Sequence, residues 1–244
     1  MTLKDFIVNY RKDGIFCVNP HCSLIVYLEH PEMLPAYLRD LRGFFAKFPL
    51  NYEVVVVAEK GCAVPPTEGP VRVLQNSKKL GRAASLWRGL QSSQAPFSAI
   101  TSVDMNTPLG DYFKLLQNLM TEENFELCWG DRYKKKDSPF LKGPHPRQQM
   151  EDGFNRILRE KFPQGPNDPL SEILLFKKTA IEKLAAEPRK FTGWYLGPQL
   201  LGGLRRQQLR VLEIPVFESG QTLPGFSLWR QRWNLFIECA FKTS

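Results

Sequence analysis

Short β-branched runs alternate with segments of helical period along most of this chain, and few folds accommodate that alternation. Residues 23–28 form an apolar run of strand length, and residues 31–48 follow with Leu34, Leu38, Leu41 and Phe45 at helical spacing. Glu53-Val54-Val55-Val56-Val57 reads as a second strand, closed by Gly61, Pro65 and Pro66. A third strand is expected over 71–74, a helix over 81–93 and a fourth strand over 97–103. Further on, the pattern predicts a helix over 109–120, a strand over 125–129, a helix over 148–161 and a strand over 172–176. A short helix opening on the capping-box sequence Thr179-Ala180-Ile181-Glu182 comes next, and after Phe191-Thr192-Gly193-Trp194 a last helix and the strand 211–216 complete the body. Strands linked through helices lie parallel in a sheet covered on both faces, so the expected architecture is α/β with a mostly parallel central sheet.

The chain is long enough for that: 244 residues, 43% hydrophobic and 24% charged, suffice for one large domain with a full core. Its formal charge of +8 favours an anionic partner, whether nucleic acid, phospholipid, nucleotide or phosphorylated acceptor. Nucleic acid is disfavoured, because no aromatic-interleaved basic strand or recognition-helix pattern accompanies the charge. The five cysteines, Cys17, Cys22, Cys62, Cys128 and Cys239, are odd in number and include no Cys-x-x-Cys pair, which argues against a disulfide framework or a structural zinc site and for a reducing compartment. His21, His30 and His145 are scattered, and His21-Cys22 lacks partners at metal-ligand spacing. The first residues, Met1-Thr2-Leu3-Lys4-Asp5-Phe6, carry charge where a signal peptide needs an apolar stretch. Runs of about 18 apolar residues, the length of a membrane span, do not occur. The expected location is cytoplasmic, free or resting on the cytoplasmic face of a membrane.

Three stretches carry candidate chemistry. Asp104-Met105-Asn106 directly follows the 97–103 strand, so a carboxylate and an amide two residues apart project side by side from a strand end, where a divalent ion bridging a diphosphate sits. A turn or cap role is the plainer alternative for Asp104. The long polar segment 130–147 contains Arg132, Lys134, Lys135, Lys136, Lys142 and Arg147, and is either a phosphate-binding loop or a solvated face. In the tail, Trp229, Trp233, Phe236, Ile237 and Ala240 share one helical stripe with Arg230 and Arg232 off it, which suits a helix lying in a membrane interface and equally a terminal helix packed on the core.

With these pieces in order, the chain resembles family 2 glycosyltransferases of the GT-A fold, most closely the branch that includes dolichyl-phosphate mannose synthase and polyprenyl-phosphate glycosyltransferases. The resemblance runs over residues 22–218. Glu32-Met33-Leu34-Pro35 sits at the family's ENLP-like helix start, and Leu80-Gly81-Arg82-Ala83-Ala84 with Gly89 at its glycine-rich segment. Asp104-Met105-Asn106 with Pro108 matches DxD, Gly130-Asp131-Arg132-Tyr133 the GSR segment, and Leu212-Glu213-Ile214-Pro215-Val216 the EVPV strand.

The resemblance implies a GT-A type, Rossmann-like domain over 1–218 followed by an amphipathic helix over 219–244. It also implies a nucleoside-diphosphate-sugar donor, Mg²⁺ or Mn²⁺, inversion at the sugar carbon and an acceptor such as a polyprenyl phosphate. Carried onto this chain, it assigns the metal to Asp104 and Asn106, the nucleoside to Glu29 and Glu59, and the diphosphate to Arg82. The acceptor falls to Arg132, Lys134, Arg147 and Trp194, with Asp104 and Arg132 as the catalytic pair. The chain departs from the family at four places. Val26-Tyr27-Leu28-Glu29-His30 replaces the PTYNE-like turn, Ala58-Glu59-Lys60-Gly61 replaces DDGS, Asn106 replaces the second aspartate, and Gln199 falls where many members carry an acid. Loss of that acid fits a phosphate acceptor, which needs no general base. It fits equally a protein of this fold that binds a nucleotide, glycan or partner without turnover.

Overall fold

In the computed structural model, which describes residues 20–48, 50–134 and 146–218, Val54, Val55, Val56 and Val57 are all fully buried. Consecutive buried residues on one strand require cover on both faces of the sheet. That strand is one of seven among the described residues: β1 (Cys22–Leu28), β2 (Tyr52–Ala58), β3 (Val71–Gln75), β4 (Phe97–Thr101), β5 (Leu127–Asp131), β6 (Leu174–Lys177) and β7 (Val211–Pro215), in the spatial order β3-β2-β1-β4-β6-β5-β7. The helices are α1 (Leu34–Phe45), α2 (Arg82–Ser92), α3 (Leu109–Thr121), α4 (Pro146–Lys161), α5 (Lys178–Ala185) and α6 (Gly197–Arg206).

Side chains alternate between two apolar layers with the period of a strand. Ile25, Val55 and Val57 pack with Leu86 and Leu90 of α2, Ile181 of α5 and Leu200 of α6. Leu24, Val26, Val54 and Val56 pack with Leu34 and Leu41 of α1 and Leu115 and Leu119 of α3. Helices therefore cover both faces, and the sheet is mostly parallel, as the alternation implies. One strand departs from that: β6 runs antiparallel to both β4 and β5. Leu174, Leu175 and Phe176 are all buried, so no alternation of polar and apolar residues marks its direction. The capping box at Thr179 also does not form. Helix α5 begins two residues earlier than that box requires, with Lys177 as its N-cap and no side-chain cap bond.

Helix α2 lies unusually close to the sheet because position 89 has no side chain. A Cβ there would stand 2.4 Å from Ile25 Cγ2 and 2.9 Å from Val57 Cγ2. Gly89→Ala is expected to lower unfolding free energy by about 1–3 kcal/mol through overpacking. Urea denaturation measures this, and an unchanged midpoint would show that α2 can lift without cost.

No helix among the described residues is long and apolar enough to cross a membrane. The amphipathic stripe over 227–242 lies outside the described residues.

Candidate functional site

The sheet changes direction of winding at β1, which pairs in parallel with β2 on one side and β4 on the other. In open α/β sheets the crevice outside the carboxyl ends of the strands at such a point is where ligands bind. Register decides which residues line it. Val26 is paired with Val56 of β2 and with Thr101 of β4. Glu29 and Glu59 follow the last paired residues of β1 and β2, Leu28 and Ala58, and Asp104 lies in the turn after β4 that the Met105 N–H closes on the Ser102 carbonyl.

Glu59 is engaged inside the fold. Its Oε1 accepts the Gly81 N–H at 2.7 Å and the Ser85 hydroxyl at 3.3 Å. Its Oε2 accepts the Leu80 N–H at 3.0 Å and the Asn76 amide at 3.3 Å. Gly81, the N-cap of α2 with φ +87°, has no side chain to cap the helix, and the carboxylate of Glu59 takes that place near the positive helix end. Glu59 thus has a structural role, with four donors around its oxygens. Glu59→Ala is expected to destabilise the protein by about 2–3 kcal/mol, as loss of charge-assisted hydrogen bonds does, with Glu59→Gln intermediate. Denaturation of both variants checks the order.

Glu29 is exposed at its strand end, and its carboxylate accepts no hydrogen bond among the described residues. Desolvation in the crevice pushes its carboxyl pKa up, Arg82 and His30 oppose the shift, and the charge of Asp104 adds to it. Asp104 is half-buried. Its Oδ2 accepts the Asn106 side-chain amide at 2.6 Å and its Oδ1 the Asn106 backbone N–H at 3.2 Å. Met105 between them holds φ +53°, a left-handed conformation that non-glycine residues adopt rarely and that clusters at functional sites.

Carboxylate and amide oxygens are the donors that hard divalent cations such as Mg²⁺ and Mn²⁺ take, so the residues at this corner fit such an ion. Among the described residues no group of three or more His, Cys, Asp or Glu side chains is placed to hold a metal. A cation here would draw the rest of its coordination from substrate oxygens and water.

The facing wall is built from later segments. Arg82, the first residue of α2, donates to Glu172 Oε2 and to the Trp194 carbonyl, and lies 5.2 Å from the centroid of the Trp194 ring. Glu172 Oε1 accepts the N–H groups of Leu196 and Gly197, where α6 begins. The Gly193 carbonyl accepts the Ala83 N–H at 3.2 Å, and a Cβ on Gly81 would stand 3.4 Å from that oxygen. Gln199 donates to the carbonyls of Thr192 and Tyr195 while accepting the Thr192 N–H. A carboxylate cannot donate to two carbonyls, which accounts for an amide at position 199. Sequence reasoning gave Glu172 no role. Its only local signal is an acid just ahead of a strand.

Arg132 departs furthest from expectation. It is buried, and its Nε and Nη2 donate to Asp168 Oδ2 and Oδ1 at 2.6 and 2.9 Å, while Nη1 lies 2.8 Å from Glu151 Oε2 and 2.9 Å from Glu218 Oε2. Burial works against its charge, but Asp168, Glu151 and Glu218 overcome that and hold its pKa well above the usual arginine value. Engaged in this way, the guanidinium ties the end of β5 to α4, to the segment after α4 at Asp168 and to the segment after β7 at Glu218. Lys134 leans on Asp131 at 3.4 Å and on Glu213 at 3.5 Å. Arg147 opens α4, but its side chain lies outside the described residues, as do Lys135, Lys136 and Lys142. Of the expected residues, Glu29 feels the charges of both Arg82 and Asp104, Asn106 bonds Asp104, and Trp194 lies against Arg82.

No protein-family model matches the chain, and no curated protein matches it in sequence. In structure it is similar to mannosyl-3-phosphoglycerate synthase from Rubrobacter xylanophilus, with a TM-score of 0.68 and 12% identity over 98% of this chain and 76% of that one. It is similar also to glucosyl-3-phosphoglycerate synthase from Mycobacterium tuberculosis in complex with UDP, with a TM-score of 0.59 and 13% identity over 91% of this chain and 80% of that one. A third similar structure is the mannosyltransferase PcManGT from Pyrobaculum calidifontis in complex with GDP-Man and Mn²⁺, with a TM-score of 0.55 and 14% identity over 94% of this chain and 68% of that one. At these identities the likeness shows the fold, which is the GT-A, Rossmann-like arrangement.

Proposed function

We propose that this GT-A fold protein transfers a sugar from a nucleoside-diphosphate sugar to an acceptor. The observation that carries the reading is the convergence of Glu29, Asp104 and Arg82 on the crevice where the sheet changes its winding. Departure of a nucleoside diphosphate builds negative charge, which needs fixed positive charge at the leaving oxygens. Arg82, held in place through its Nη1 by Glu172, provides part of it from the protein itself. The corner nevertheless carries two carboxylates, Glu29 and Asp104, that repel a diphosphate unless a cation intervenes. Mg²⁺ or Mn²⁺, when bound, supplies that bridge and neutralises developing charge. Asp104 and the amide oxygen of Asn106 would hold it. Solved structures of this fold that contain UDP, or GDP-Man and Mn²⁺, support the reading.

The proposed acceptor carries a phosphate. Gln199 cannot take a proton from a hydroxyl, and a polyprenyl phosphate at the cytoplasmic membrane face, being anionic already, requires no base. Trp194, which lies against Arg82, borders the approach. Two structurally similar enzymes are named as synthases of glycosylated 3-phosphoglycerate, which adds a small phosphorylated acceptor to those worth testing.

Isothermal titration of the full chain with UDP- and GDP-sugars, with and without Mn²⁺, tests the donor. Heat that requires both nucleotide sugar and Mn²⁺ is expected. Release of UDP or GDP on adding polyprenyl phosphate or 3-phosphoglycerate then tests transfer. No heat with any donor overturns the reading, and binding without release in either assay leaves a non-catalytic binder.

A further inference from the structure

We propose that Glu172 is a positioning residue, which holds Arg82 so that one edge of its guanidinium is left for the donor diphosphate. The proposal rests on the sugar-transfer reading above and concerns how Arg82 is held. A guanidinium carries five N–H donors in a planar fork. The two on Nη1 are engaged, since Nη1 reaches Glu172 Oε2 at 2.5 Å and the Trp194 carbonyl at 3.3 Å. The three on Nε and Nη2 meet no acceptor among the described residues. Yet the side chain is only 12% exposed. Enclosed donors on a cation call for acceptors, and the Nε–Nη2 edge matches two oxygens of one phosphate. Arg132 is the contrast, because Asp168 closes the same edge there.

Glu172 fixes where that edge lies. Its Oε1 accepts the N–H groups of Leu196 and Gly197 at 2.9 and 3.2 Å, so the opening of α6 holds the carboxylate while its Oε2 holds the arginine. The side chain of Glu172 is itself 15% exposed. On another side, the Trp194 ring centroid stands 5.2 Å from the guanidinium carbon of Arg82. A long side chain that must be ordered at the moment of binding costs affinity, and one ordered beforehand does not. The charge of Glu172 acts in the opposite sense, since a carboxylate repels a diphosphate. Orientation outweighs it here, because the carboxylate meets three donors and contacts Nη1, away from the open edge. Neutralising Glu172 therefore separates the two effects by sign.

Two measurements on the full chain test this: nitrogen NMR relaxation of the Arg82 Nε–H without ligand, and titration with UDP and GDP with Mn²⁺ present throughout. The Nε–H is expected to be as rigid as the backbone in wild type and mobile in Glu172→Gln, which keeps an oxygen for Leu196 and Gly197 but offers Arg82 an amide N–H in place of an acceptor. Arg82→Met is expected to weaken nucleotide binding by about tenfold or more, the scale of a hydrogen bond to a charged group. Glu172→Gln should weaken it about threefold to tenfold, the scale of ordering one long side chain on binding. Combined, the two should lose no more than about twofold beyond Arg82→Met alone, because Glu172 acts through the arginine. A mobile Nε–H in wild type would sink the proposal before any variant is made. Binding to Glu172→Gln as tight as to wild type, or tighter, would overturn it and leave sugar transfer standing. Losses that multiply in the combined variant would also overturn it, since Glu172 would then act on the fold and not on Arg82. Absence of any nucleotide binding to wild type would overturn the donor reading and this role with it.

Discussion

Arg132→Met is expected to lower the stability of the protein by about 3–5 kcal/mol, the cost of leaving a buried ion cluster without its cation. The guanidinium meets three carboxylates in this fold, from Asp168, Glu151 and Glu218, and two of the three are fully buried. Removing it leaves those acids facing one another with Asn155 as the main remaining donor to Asp168. The loss should depend on pH with a definite sign. Protonation relieves repulsion among the uncompensated acids, so the folded variant binds more protons than the unfolded chain, and its stability rises as pH falls from neutrality toward about pH 5. Arg132→Lys keeps the charge but not the two-pronged contact with Asp168, and should fall between wild type and Met. Urea denaturation at several pH values reads all of this. A methionine variant as stable as wild type, or one that weakens on acidification, would show that the cluster is not held by the arginine.

That cluster also marks where the sequence stops being informative. Strand and helix periodicity is local, so β2 and α2 are visible in the four valines and in the apolar spacing around Leu86 and Leu90. Direction is not local. Strand β6 is apolar throughout, and nothing in its residues distinguishes a parallel from an antiparallel place in the sheet. The Asp104-Met105-Asn106 spacing is legible because its geometry spans two residues. Glu59 and Arg132 are not, because their partners arrive from far along the chain: Gly81 lies 22 positions from Glu59, and Asp168 lies 36 from Arg132. In a sequence both look like exposed charges in turns after strands. Only the folded contacts show that Glu59 caps a helix and that Arg132 is enclosed by acids. The register of parallel strands is set by helix-containing crossovers whose lengths do not encode it.

Asp104→Asn is expected to reduce sugar transfer by about 10²–10³-fold, the range seen when one electrostatic contact to the developing charge is removed, while the fold is kept. Asp104 is half-buried, and its side-chain hydrogen bonds are to Asn106. The isosteric amide keeps the shape but has one acceptor oxygen for these two donors, so the loss of one bond is expected to cost about 0.5–1.5 kcal/mol. The deficit should fall on the leaving group. A donor whose diphosphate is no longer bridged loses affinity and also leaves more slowly, so kcat and kcat/KM both drop. Excess Mn²⁺ should restore part of the loss in affinity and little of the loss in kcat. Asn106→Asp provides the opposite perturbation in the same two-residue frame: it adds a charge beside Asp104 and should lower the Mn²⁺ concentration needed for half-maximal rate. Release of nucleoside diphosphate, followed for the three proteins across a Mn²⁺ series, separates these outcomes. Equal rates in wild type and Asp104→Asn at every Mn²⁺ concentration would place the charge that matters on Arg82 instead, the cation at the start of α2 whose charge reaches the same corner.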